Sequence, residues 1–168
     1  MITPEYAATM SRYNQWQNRS FIAAASSLTH ADRWKDRGAF FRSIAETLNH
    51  ILWDDRIWLA RFCHDSRTVA EIAGQHPYTD TPVNWLNYVE QREALDEEIV
   101  GWADLLTPQD LSSIVTWQRG QDRVQTTLGF NLVHMINHQA HHRGQVHSLL
   151  TQAGATTGST DLQMLGAG

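Results

Sequence analysis

Cysteine and proline are both scarce in this chain of 168 residues, which contains one cysteine and four prolines. The single cysteine, Cys63, cannot form an internal disulfide, so a disulfide-stapled secreted domain is excluded and a cytoplasmic location is expected. No run of about 18 apolar residues is present, and no basic segment followed by an apolar core opens the sequence. We therefore expect neither a membrane span nor a secretory signal.

Positive charge is also in short supply. The chain has 13 lysines and arginines against 18 aspartates and glutamates, a net charge of −5, and no basic run. This balance argues against nucleic acid or an anionic membrane as a partner. The apolar content of 42% and charged content of 18% are typical of a globular protein, and the length fits one domain over residues 1–168.

Four long patterns of helical periodicity account for most of the chain. They run roughly from Pro4 to Leu28, over residues 38–63 with an apolar stripe from Phe41 to Phe62, from just after Thr81 to beyond Trp102, and from Thr127 to Ala153. Each has one apolar face, and the last one ends before Gly154, a plausible glycine C-cap. The pattern predicts an all-α fold, an up-and-down four-helix bundle.

Long connections join these helices. Residues 64–80 show no clear pattern, whereas residues 105–126 contain a short helical start and then a weak hairpin signal with its turn near Gly120. Three predicted helix starts consist of a threonine cap followed by proline, namely Thr3-Pro4, Thr81-Pro82 and Thr107-Pro108.

Five of the nine histidines lie in the segment "NLVHMINHQAHHRGQVHSLL", residues 131–150. On a helical wheel His142 falls within the apolar face and His138 lies at its edge, one turn earlier. His134 continues this line, whereas His141 and His147 point away and are predicted to be solvated. The i, i+4 spacing of His138 and His142 brings two imidazoles together, a common way to chelate a metal ion.

A third ligand has to come from another helix, and His50 is the remaining histidine that lies well inside a predicted helix. It lies off the main apolar stripe, on a side shared with Trp53 and Ile57. That side is either a second buried face toward a cleft or a lateral surface. The alternative for all three histidines is a structural role, with the imidazoles hydrogen-bonded to the backbone or to each other.

Several familiar sites are excluded. A zinc protease would carry glutamate after the first histidine, but the sequence reads "HQAHH", with Gln139 at that position. The fourth helix has no Glu-x-x-His pair of the kind that ferritin-like di-iron bundles use. Cys63, at the end of an apolar helix, is predicted to be a buried small hydrophobe rather than a nucleophile.

Three neutral imidazoles leave positions on a divalent ion open for water or substrate. Asp54 and Gln139 are candidates to orient the rings, and His134 and Trp53 are candidate pocket residues. Zinc and nickel suit imidazole donors best, with iron and cobalt as alternatives.

The strings "HMINHQAHHRGQV" and "LNHILWDDRIWLARF" resemble two helices of the DinB-like proteins, which are metal-binding four-helix bundles. "RYNQWQNRSFIAAASSL" and "TDLQML" are similar to the first helix and closing segment of that family. The resemblance implies that His50, His138 and His142 are ligands of one metal ion and that the protein forms a homodimer. Some related proteins are transferases or isomerases that use bacillithiol or mycothiol.

Two hypotheses about function follow. The first is a metal-dependent enzyme, a thiol transferase or a hydrolase, that activates a low-molecular-weight thiol or water for attack on a small electrophile. The second is a stress-response protein that binds a metal or small ligand without chemistry, which the absence of an obvious general base favours. No catalytic residue beyond the metal ligands is indicated by the sequence.

Overall fold

Helices make up most of the computed structural model, which describes residues 1–73 and 84–166. Seven α-helices lie in these residues: α1 (Pro4–Ser26), α2 (His30–Trp34), α3 (Ile44–Phe62), α4 (Ser66–Ala73), α5 (Trp85–Asp104), α6 (Pro108–Ser112) and α7 (Leu128–Gln152). Strands β1 (Ile114–Arg119) and β2 (Asp122–Thr127) form an antiparallel hairpin, and a 3-10 turn follows at Leu162–Met164.

The four long helices, α1, α3, α5 and α7, pack against one another. Helix α1 contacts α5 and α7, and α3 contacts the same two helices from the other side. Their apolar faces meet in one core, which includes Phe21, Ile51, Ile99 and Leu132. The prediction of an all-α four-helix bundle, with a hairpin signal before the last helix, holds in outline, because three short helices and a two-stranded hairpin complete a mostly helical fold.

Side-chain caps fix where the helices begin. The threonine of each of two predicted Thr-Pro pairs accepts a backbone N–H at the start of its helix, Thr3 for α1 and Thr107 for α6. The third pair, Thr81-Pro82, lies outside the described residues. Helix α5 begins at Trp85, where the side chain of Asn84 is the cap.

The largest departure from the predicted helices precedes α3. The periodicity predicted a helix from residue 38, but the chain turns between Gly38 and Arg42, both with positive φ (77° and 62°). Ser43 then caps α3, which begins at Ile44. Phe41 therefore belongs to this turn and not to the apolar stripe of the helix. The direction of its side chain is not set by the helical periodicity.

Two predicted connections hold regular structure. Helix α4 lies in the segment that showed no clear pattern. The weak hairpin signal is confirmed, since β1 and β2 pair around Gly120, whose φ of 62° suits a tight turn. Gly154, with a φ of 80°, follows the C-cap of α7 as predicted. Within the described ranges, no helix has the length and apolar content that crossing a bilayer requires.

Candidate metal centre

Three imidazoles from two helices meet between α3 and α7. His50 lies on α3, and His138 and His142 lie one turn apart on α7. The Nε2 atoms of His50 and His138 are 3.1 Å apart. One nitrogen from each ring lies within 4.8 Å of the other two. The side of α3 that carries His50 is therefore a buried face toward α7, and not a lateral surface.

Polar side chains contact two of the rings at Nδ1. The Nδ1 atom of His142 is 2.8 Å from Oε1 of Gln145, three residues along the same helix. The Nδ1 atom of His138 is 3.0 Å from Oδ2 of Asp54, a contact that raises the pKa of the ring. With Nδ1 engaged in each case, the Nε2 atoms are left to face the centre of the cluster.

Phe41 covers one side of the cluster. Its ring stacks on His50 at a centroid distance of 4.1 Å and lies 5.2 Å from the ring of His142. The turn before α3 places it there, because the left-handed conformation of Arg42 redirects the chain just before the helix begins. This contact was not anticipated from the sequence, where Phe41 read as part of a helical stripe.

The cluster favours neutral imidazoles at two positions. Burial, together with the neighbouring His142 and His138, lowers the pKa of His50 to about 4. Burial also lowers the pKa of His142, and the hydrogen bond that its Nδ1–H donates to Oε1 of Gln145 opposes this effect. Burial acts the same way on His138, but the carboxylates of Asp54 and Asp55 outweigh it and raise the pKa of that ring.

The geometry and the donor set fit a divalent transition metal. Two nitrogens bound to one tetrahedral ion, each at about 2.0–2.1 Å, lie about 3.3 Å apart. The distance of 3.1 Å between the Nε2 atoms of His50 and His138 is close to that value. Only neutral imidazole can donate its lone pair to a metal, which is the form that burial favours for His50 and His142. The three histidines could therefore hold one ion.

A cavity of about 480 Å³ adjoins the cluster on the side of His138. Helices α3 and α7 and the hairpin surround it, with lining residues that include His138, His134, Trp53, Trp58, Trp117 and Arg61. Both candidate pocket residues, His134 and Trp53, are thus placed on its wall. His134 is exposed and packs edge-on against Trp58 at 5.3 Å, while the indole N–H of Trp53 donates to the carbonyl of Ile72.

The remaining candidates lie elsewhere. Gln139 does not face the imidazoles; its amide donates to Oδ1 of the buried Asp55 at 2.8 Å. His141 is exposed, as predicted, but the prediction for His147 is wrong, since its ring is half-buried beside Phe21. The predicted burial of Cys63 is also wrong. Its thiol is exposed at the end of α3, and partial burial with nearby carboxylates raises its pKa, so a reactive thiolate is not favoured.

A second polar cluster, which we call the carboxylate–arginine cluster, lies buried between the same helices and their neighbours α1 and α5. Its members are Asn14, Asn18, Asp55, Arg92, Asp96, Gln139 and Arg143. Arg92 contacts Asp55 at 2.7 Å and Asp96 at 2.8 Å. Asn18 donates to Asp96, and Arg143 donates to Asn14. The sequence analysis missed this cluster because its members lie on the apolar stripes of four separate helices.

These features define a mostly helical protein with a three-histidine cluster that could bind a metal ion. The chain belongs to the DinB family, whose family model matches residues 1–166. It is 23% identical over 159 residues to the protein DinB of Bacillus subtilis (strain 168), a match that covers 94% of this chain and 91% of that protein. No solved structure showed a significant match to the chain.

Proposed function

We propose that the protein binds one divalent transition metal ion through His50, His138 and His142 and uses it in a transferase or hydrolase reaction. The observation that carries this proposal is the convergence of three imidazole nitrogens within 4.8 Å of one another beside a cavity of about 480 Å³. A cavity of this size suits a small molecule. Zinc and nickel are the proposed metals, with iron and cobalt as alternatives, because imidazole suits all four.

The residues around the cluster have distinct parts in this proposal. When bound, the ion would lower the pKa of a water molecule or of a low-molecular-weight thiol. Asp54 and Gln145 contact Nδ1 of His138 and of His142, which would leave Nε2 of each ring to hold the ion. His134 and Trp53 form part of the wall against which a small electrophile would bind.

A second candidate is a protein that binds a metal or small ligand without chemistry. The position of Phe41 favours it, since this ring covers His50 and His142 and closes one side of the cluster to substrate. Asp54, the carboxylate nearest the cluster, contacts His138 and so is poorly placed to act as a general base. A cytoplasmic location and a homodimeric state, both expected from the sequence, stay predictions.

The first test is metal content, measured by plasma mass spectrometry on untagged protein. We expect about one transition metal ion per chain, lost in both the His50→Ala and the His138→Ala variants. The matched control is His141→Ala, which removes an exposed imidazole from the same helix and should retain the metal. A parent protein that takes up no metal after soaking with zinc or nickel would return the histidines to a structural role.

The second test separates the enzyme from the binding protein. A panel of low-molecular-weight thiols is offered with electrophilic substrates to the metal-loaded protein and to the His138→Ala variant. A saturable rate that disappears in the variant supports the enzyme. Equal rates in both proteins would contradict it, and the absence of any rate would favour the binding protein.

A further inference from the structure

The hairpin supplies one wall of the cavity because strand residues alternate between two faces. Trp117 and Arg119 are two apart on β1, and Val124 and Thr126 are two apart on β2. All four line the cavity, and Trp117 pairs directly with Val124 across the hairpin. The neighbouring residues Gln118 and Arg123, which also pair, belong to the opposite face. The cavity wall is therefore an aromatic and basic surface.

Arg61, in the last turn of α3, lies in the corner formed by two indole rings. Its guanidinium carbon is 4.7 Å from the ring centroid of Trp58 and 4.7 Å from that of Trp117. The two rings are nearly perpendicular, at 79°, with centroids 5.3 Å apart. Cation–π contacts of this kind fix the position of a guanidinium, but they supply no hydrogen-bond acceptor.

The donors of this corner lack acceptors among the described residues. Nε of Arg61 and Nε1 of Trp117 are both buried without a hydrogen-bond partner, and Arg61 forms no ion pair with a carboxylate of residues 1–73 or 84–166. Nε of the buried Arg92 also lacks a hydrogen-bond partner, but the guanidinium of Arg92 is contacted by the carboxylates of Asp55 and Asp96 at 2.7 and 2.8 Å. An unpaired buried donor is costly, and more so when it is charged. Arg61 is therefore prepared for an acceptor that the described residues do not provide.

The charges around the cavity favour an anion. Its lining has two arginines, Arg61 and Arg119, against one aspartate, Asp54, whose Oδ2 atom already contacts His138. Burial lowers the pKa of Arg61, and the charge of Asp54 opposes this effect. Because guanidinium remains charged in proteins, its partial burial strengthens the attraction for a ligand anion.

We propose that Arg61 recognises a carboxylate on the ligand, and that the substrate is a small carboxylate with a flat apolar body. This inference rests on the proposed function for the identity of the substrate. A planar guanidinium can hold a carboxylate through two parallel hydrogen bonds, and the rings of Trp53 and Phe130, which also line the cavity, suit a flat apolar body. The carboxylate is the anchor, and the reacting group lies elsewhere on the molecule, toward His138.

Calorimetric titration with 2-naphthoate and its neutral counterpart 2-naphthamide tests this inference. The zinc-loaded protein and the chelator-treated, dialysed protein are both titrated, because a carboxylate could also bind zinc directly. We expect naphthoate to bind at least about tenfold more tightly than the amide in both forms. The Arg61→Met variant should lose that preference, and Arg67→Met, which removes an exposed arginine of α4, should keep it.

A second variant controls for a folding defect in Arg61→Met. Arg61→Lys keeps the charge but loses the planar pair of donors, so it should bind naphthoate more weakly than the parent while its affinity for the amide is unchanged. Equal affinity of the parent for naphthoate and naphthamide, or unchanged naphthoate binding in Arg61→Met, would overturn the proposal. Displacement of naphthoate by inorganic phosphate at lower concentration than by benzoate would overturn the choice of a carboxylate.

The two proposals can fail separately. If naphthoate binding depends on Arg61 in the chelator-treated protein but no metal-dependent turnover exists, the anion site is supported and the enzymatic function is contradicted. If turnover depends on the metal but naphthoate binding does not depend on Arg61, the enzymatic function is supported and the anion site is contradicted.

Discussion

The carboxylate–arginine cluster, which extends from α3 and α7 to α1 and α5, and the histidine cluster between α3 and α7 differ in how their polar groups are paired. In the carboxylate–arginine cluster, positive and negative groups alternate and each makes contact with a partner, as Arg92 does with Asp55 and Asp96. In the histidine cluster, three groups of the same kind face one another, and two of them, His50 and His138, approach through the same atom type, Nε2. Burial penalises charge in both places, but carboxylates and guanidinium groups pair throughout the first cluster, whereas in the second the carboxylate of Asp54 contacts only His138.

This difference distinguishes a structural cluster from a candidate site. A buried polar group that is fully paired by its neighbours needs nothing from outside the chain. Three imidazole nitrogens that lie close together cannot all be satisfied by hydrogen bonds to one another. A single metal ion can accept all three lone pairs at once. The clusters should therefore respond differently to mutation, since the first should lose stability and the second should lose affinity for a ligand.

Removing Arg92 should have the largest effect. The Arg92→Met variant leaves Asp55 and Asp96 buried without their cation, which we expect to cost about 3–5 kcal/mol of unfolding free energy. Urea denaturation of the metal-free protein measures it. Arg67→Met, which removes an exposed partner of Glu71, should change stability by no more than about 0.5 kcal/mol.

A double variant sharpens this result. Asp55→Asn combined with Arg92→Met removes one of the two carboxylate charges that Arg92→Met leaves unpaired. The double variant should therefore recover part of the unfolding free energy that Arg92→Met loses. If Arg92→Met alone costs less than about 1 kcal/mol, the cluster is not the internally paired unit described above.

Replacing Asp54 should have a smaller effect that falls on the metal rather than on the fold. The Asp54→Asn variant keeps the shape of the side chain but removes the charge that contacts Nδ1 of His138. We expect the affinity for zinc to drop about 10- to 100-fold, as measured by competition with a chromophoric chelator. The matched control is Asp104→Asn, since Asp104 is an exposed aspartate paired with Arg12 on the surface. Equal losses in both variants would mean that Asp54 does not support the cluster.

The pairing of His138 and His142 could be predicted from the sequence because it depends on a local rule, whereas the place of His50 beside them was implied by the family resemblance. The i, i+4 spacing puts His138 and His142 on one face of α7, and the helical wheel assigns His50 to a face distinct from the main stripe of α3. That the three rings lie together is observed, and that they bind a metal stays a prediction. Gln145 could have been found by the same rule, since it lies three residues after His142.

The features that escaped prediction all depend on how separate elements meet. Phe41 reaches the histidines only because Arg42 adopts a left-handed conformation, which no periodicity reveals. The contact between Asp54 and His138 depends on the register of α3 against α7. Arg61 looks like an ordinary basic residue at the end of a helix until the hairpin brings Trp117 over it. Tertiary contacts decide such features, and helical patterns do not record them.

The smallest predicted effect is a pH dependence of the metal-free protein that comes from His50. Its pKa is about 4 in the folded state against an ordinary value of 6.5, so the unfolded chain takes up a proton first as the pH falls. Stability from this residue is therefore complete above about pH 6.5 and is lost progressively down to about pH 4. His138, whose pKa is raised, contributes with the opposite sign, so total stability does not isolate the effect.

The informative quantity is the difference in unfolding free energy between the parent and the His50→Gln variant, both without metal. Glutamine keeps a polar side chain at this position but does not titrate, whereas His138 remains in both proteins. Relative to the variant, the parent should lose about 1–2 kcal/mol of unfolding free energy between pH 7 and pH 4.5, less than full burial would give because the cluster adjoins a cavity at His138. A difference that stays constant with pH would mean that His50 is as easily protonated in the fold as in water. The histidine cluster would then lack the desolvation that sets it apart from a solvated polar face.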